Sequence, residues 1–173
     1  MIPVIFGLML VHTKSLILKI VYGIIWFFFL PNTIYLLTDI GHFFKDWSLV
    51  PVIYQGLFIL EYSFLMITGI LSFIFALYPV EKFIRRASNK KKKKEYLIYA
   101  INFVIGFGLV LGRIQRVNSW DIITNTSFVI YQSIHTITSV YLVLLVLFFG
   151  LSSNLIYFSF RDFLQKKWKY LFT

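Results

Sequence analysis

Residues 30–39 read LPNTIYLLTD, a Pro-Asn pair set inside an apolar run that is otherwise long enough to cross a bilayer. Pro31 has no N–H and clashes with the carbonyl four residues back, so the helix is expected to kink or break at Phe29–Leu30. Asn32 is then placed to cap a restarted helix over Thr33–Ile40. Two readings are open for this pair. One is a plain proline kink healed by Asn32; the other is a discontinuous helix whose freed backbone groups line a site, as in many carriers.

The flanking sequence makes a membrane the setting. Hydrophobic residues form 59% of the 173 and aromatic residues 20%, with a mean hydropathy of +0.80, beyond the range of a soluble domain. The short apolar segment Met1–Val11 is followed by Leu16–Leu37, Val50–Tyr78, Tyr96–Leu111 and Phe128–Gly150. The first cannot cross about 30 Å of hydrocarbon as a straight helix, whereas the other four can. Met1–Val11 also lacks the basic start and small-residue cleavage site of a signal peptide. Past Gly150, Ile156, Phe160, Phe163, Leu164, Trp168 and Leu171 recur at helical spacing opposite Arg161, Lys166, Lys167 and Lys169. That pattern suits a helix lying on a membrane surface. The expected fold is all-α. Residues 1–150 form a polytopic transmembrane helix bundle with four full spans and a short N-terminal apolar segment, and residues 151–173 form an amphipathic basic C-terminal tail.

The formal net charge is +10, but its distribution argues against nucleic acid. Eight of the seventeen basic residues fall between Lys82 and Lys94, between two apolar runs. Such a cluster marks a cytoplasmic loop and a contact for anionic lipid, as does the basic C-terminal tail. With that loop inside, fourteen basic residues are cytoplasmic and only Lys45, Arg113 and Arg116 are outside. The expectation is a multi-pass cell-membrane protein whose partners are the lipid bilayer, anionic lipid and other membrane proteins. No cysteine is present, which excludes disulfides, thiolate nucleophiles and Cys-ligated metals.

This orientation puts LPNTIYLLTD and a second polar cluster, GRIQRVNSWD (residues 112–121), on the extracytoplasmic face. Arg113 and Arg116 lie one turn apart and offer rigid forks of donors suited to phosphate or carboxylate. They either pair with Asp39, Asp46 or Asp121, or hold an anionic headgroup or substrate phosphate. Asn118 and Asp121 are spaced as a cap for a short interfacial helix, with Trp120 and Trp47 as headgroup anchors. Asp39, His42 and Asp46 share a helical face, a spacing that permits a metal but is more often a solvated surface, and no metal or cofactor is expected. Gly106, Gly108 and Gly112 suit close helix packing better than cofactor binding.

Glu61 and His135 fall inside apolar runs, where ionisable groups are costly and face protein or a wet cavity. A proton relay through His135 to Glu61 is one reading. A neutral Glu61 bonded to a neighbouring helix is the favoured one.

LPNTIYLLTD followed by GRIQRVNSWD, across an apolar segment and a basic loop, resembles the DUF1361 family of uncharacterised bacterial integral membrane proteins, over roughly Ile2 to Gly150. The family favours proline where this chain has Ile34 and tryptophan where it has Val117; neither change removes an ionisable group. Relatives carry more apolar sequence before the first motif, so Met1–Val11 reads as a trimmed start. The resemblance implies a membrane location and no established activity.

No GxSxG, HExxH, P-loop or dinucleotide fingerprint is present. The expected function is an outward-facing polar pocket built from Asn32, Tyr35, Asp39, Arg113, Arg116, Asn118 and Asp121. It would bind a small anion or lipid headgroup, as a carrier or complex subunit. The alternative is a membrane-embedded enzyme acting on a lipid-linked substrate, with Asp39 or Asp121 as base and the arginines as a phosphate clamp.

Overall fold

The structure is a computed structural model that describes residues 2–87 and 91–168. Every regular element among the described residues is helical. In chain order these are α1 (Ile2–His12), α2 (Leu16–Phe29), α3 (Pro31–Thr38), α4 (Ile40–Asp46), α5 (Gln55–Ala87), α6 (Lys91–Arg113), α7 (Asp121–Thr124), α8 (Thr126–Thr138) and α9 (Val140–Trp168). Four stretches are long and apolar enough to cross a membrane: Leu16–Leu49, Val52–Arg85, Glu95–Arg113 and Val140–Arg161. Exposed side chains along them are largely Ile, Leu, Val and Phe, as a surface facing lipid requires.

The proline break forms at the expected place, with a different cap. α2 ends at Phe29 and Pro31 occupies the first turn of α3, where its missing N–H would have had no partner anyway. Leu30 keeps helical angles, so the chain kinks instead of turning, and no side chain caps the restart. Asn32 is therefore left exposed and free of the capping role.

The fourth span differs from its expected limits. Helix α8 stops at Thr138 and Ser139 adopts extended angles (ψ 115), so the crossing helix begins at Val140. Thr136 and Thr138 bond back to the Gln132 and Ile134 carbonyls at 2.8 and 3.0 Å, an arrangement that weakens a helix locally. Beyond Gly150, α9 runs on unbroken to Trp168, and Ser153, Asn154 and Tyr157 face the bundle.

Helices α6 and α9 pack closely against each other. A Cβ on Gly106 would stand 2.6 Å from the Gly150 nitrogen, so only glycine permits this approach. One turn away, Asn102 Nδ2 donates to Asn154 Oδ1 at 2.9 Å, with both residues buried. Helix α1 packs on α2 and α5, where the Trp26 indole N–H donates to the Ala76 carbonyl at 2.9 Å. Leu30, Phe73, Leu77, Ile105, Leu109 and Tyr157 belong to the apolar core.

Candidate functional site

Helix α3 lies on α6 because two glycines clear the way. A Cβ on Gly108 would come within 2.6 Å of Pro31 Cγ, and one on Gly112 would overlap the Tyr35 hydroxyl. Tyr35 thus rests across the α6 backbone, its hydroxyl 3.5 Å from the Gly108 carbonyl as donor. This close approach carries Asp39 to Arg113, where Oδ1 and Nη2 meet at 2.8 Å. The two polar motifs are in contact.

Beside them lies a cavity of about 700 Å³, within the range of small-molecule pockets. Asn32, Tyr35, Arg113 and Asn118 contribute to its wall, and Phe27, Phe28, Val104, Ile105 and Phe107 line it with apolar surface. Residues 117–120 and one face of α8 complete it through Ser119, Val129 and Ser133. Its surface is therefore amphipathic.

The remaining predicted residues act on this wall or stand apart from it. Asp39 holds Arg113 by the ion pair. Asp121 Oδ2 accepts the Asn118 backbone N–H at 2.6 Å and so fixes the loop that presents Asn118. Arg116 is exposed and outside the cavity lining, with φ 56 in the left-handed region. It has no ion pair among the described residues. The two arginines of the motif therefore do not converge.

Glu61 is exposed on α5 and has no hydrogen bond or ion pair among the described residues, in contrast to the expected bond to a neighbouring helix. His135 is exposed on α8, its Nδ1 3.0 Å from Gln115 Nε2. Nothing among the described residues bridges the two. No group of three His, Cys, Asp or Glu side chains there is arranged to hold a metal ion.

Sequence reading missed a second polar cluster at the far end of the bundle. Glu81, 1% exposed, accepts from Arg85 Nε at 2.5 Å and from the Tyr157 hydroxyl, with Arg161 Nη1 at 3.7 Å. Glu95 lies 3.9 Å from Arg85 Nη2. The Glu81–Arg85 spacing of four was a visible signal, whereas Tyr157 and Arg161 come from the other end of the chain. Lys90 and Lys169–Thr173 lie outside the described residues, as do the side chains of 91–94 and 162–168, so the basic-run and tail contacts are not placed.

Helices of this length and apolarity, packed through small residues around an amphipathic cavity, define a polytopic helical membrane protein. The chain belongs to the DUF1361 family, described as a protein of unknown function, whose model matches residues 1–156. No curated protein and no solved structure matches the chain.

Proposed function

We propose that this membrane protein binds an amphiphile with an anionic headgroup in the cavity between α3, α6 and α8, as a carrier or as a subunit of a larger assembly. The observation that carries this reading is the composition of one wall. Arg113, Asn32, Tyr35 and Asn118 supply donors beside a surface of Phe27, Phe28, Val104 and Phe107. Asp39 engages Arg113 through one terminal nitrogen, and a guanidinium carries five donors in a fixed fork. A phosphate or carboxylate would take the remaining donors while an acyl chain lies against the phenylalanines. In this reading Asp39 and Asp121 position Arg113 and Asn118, and Arg116 is not part of the headgroup site.

The same two carboxylates are the ones an enzyme would use as base. Both are committed to partners, which favours binding over catalysis. The distribution of basic residues supports a cavity at the extracytoplasmic face, with the 82–94 loop and the C-terminal tail against anionic lipid in the cytoplasm.

Native mass spectrometry with lipid identification tests the reading on wild type, Arg113→Ala and Asn118→Ala. A phosphorylated or carboxylated lipid retained by wild type and lost from both folded variants is the expected result. Equal retention in all three overturns it.

A further inference from the structure

The segment joining α6 to α9 ends where it began. The two helices run antiparallel, with Asn102 opposite Asn154 and Gly106 against Gly150. Continuing that register puts Arg113 level with Val143, so α9 starts on the side of the bundle where α6 finishes. Residues 114–139 therefore do not cross.

They do not stay at that end either. His135, in the last turn of α8, meets Gln115 just past α6. The Ser119 hydroxyl, however, donates to the Phe28 carbonyl at 3.3 Å. Phe28 sits three residues before Pro31, which packs on Gly108, so it is level with Ile105. That is eight residues short of Arg113, or about 12 Å of helix. Helix α8 is long enough to reach the same depth: Thr126 is nine residues before His135, about 13 Å of helix, and lines the cavity, whose α6 wall runs from Val104 to Arg113. Both routes arrive at the middle of the Glu95–Arg113 span.

We propose that residues 114–139 form a re-entrant hairpin, with its tip (Ser119–Asn125) at the bilayer midplane, its inner face walling the cavity and its outer face contacting lipid acyl chains. Irregular backbone at that depth survives only where its polar groups are satisfied or line a wet cavity. Here the tip is largely self-satisfied. Asp121 takes the Asn118 N–H and Asn125 Oδ1 accepts from the Phe128 N–H at 3.4 Å. In turn, Ser119 supplies a donor to α2 beside its proline break. The outer face is open: Ile123 is 88% exposed, Ile130 55%, Ile134 57% and Ile137 66%, while the exposed Thr124, Thr126 and Ser127 hydroxyls donate to the Trp120 and Ile122 carbonyls and to Asn125 Oδ1 within the segment. That face continues the apolar surface of the spans, so hydrocarbon is its partner. The hairpin replaces the interfacial helix expected from Asn118, Trp120 and Asp121, and it stands whatever the cavity binds.

The absence of cysteine makes single-site spin labelling direct. Ile123→Cys, Val140→Cys and Leu151→Cys are labelled separately in the full chain, reconstituted in lipid nanodiscs, and compared for collision with oxygen and with a water-soluble nickel chelate. Leu151, next to Gly150 and 60% exposed, is the midplane reference, and Val140 is the shallow one. The Ile123 label is expected to match Leu151, with an oxygen-to-nickel ratio several-fold above Val140. An Ile123 ratio equal to that of Val140 means a surface segment and overturns the hairpin. Thr124→Cys is read against the same criteria if the Ile123 variant does not fold.

Discussion

The two ends of the bundle use carboxylates and guanidinium groups in opposite ways. Asp39 and Arg113 meet with about a third of each side chain exposed (30% and 32%), beside a cavity. At the other end Glu81 has 1% of its surface exposed and is gripped from α5 and α9 by Arg85, Tyr157 and Arg161. A buried charge is costly to abandon, whereas a partly exposed pair adds little to stability. The contrast separates a staple from the proposed site: Glu81 is held between helices, and on the proposed reading Arg113 is the group left to a ligand.

The largest test of that contrast is Glu81→Ala. It removes the buried carboxylate that Arg85, Arg161 and the Tyr157 hydroxyl share, at a cost toward the lower end of the about 3–5 kcal/mol that breaking a buried pair carries. The expected readout is a collapse in the yield of folded protein on size exclusion. A variant as stable as wild type would show that the buried cluster is no staple.

Next is Gly106→Ala, whose Cβ would lie 2.6 Å from the Gly150 nitrogen and 2.7 Å from the Val146 carbonyl. Backbone cannot give way cheaply, so about 1–3 kcal/mol is expected, read as a lowered Tm in detergent. This seam sits between the two charged ends, and its loosening should disturb both.

Arg113→Ala sharpens the comparison from the other side. Its stability cost should be under about 1 kcal/mol, with Tm close to wild type, while the retained lipid is lost. A large drop in Tm would place Arg113 with Glu81 as a structural charge.

The smallest effect is expected at Arg116→Gly. Relief of the left-handed backbone (φ 56) is worth about 1 kcal/mol, so Tm should rise slightly and lipid retention should not change. Loss of lipid in this variant would return Arg116 to the binding site.

Much of the fold was legible because bilayer chemistry is simple to read. Long apolar runs mark spans, proline marks the break at Leu30, and small residues on α6 mark close packing. Of the residues singled out in the two motifs, Asn32, Tyr35, Arg113 and Asn118 are among those lining the cavity. Arg116 stands apart from them because the chain leaves the helix just after Arg113, a change that residue spacing alone does not register. The Phe128–Gly150 span was misplaced for a related reason: hydropathy does not register a one-residue break at Ser139 inside an apolar run.

By itself, then, the sequence determined an all-α membrane protein with four crossings, and it singled out the two polar motifs. These depend on local hydropathy and backbone chemistry, which each segment carries alone. Only the tertiary structure decided that Asp39 reaches Arg113, that Tyr157 seals Glu81 from across 76 positions, and that residues 114–139 fold back along the bundle. Such pairings depend on which helices are neighbours and in what register. In this chain that is decided by where glycines let backbones touch: Gly106 against Gly150 and Gly108 against Pro31.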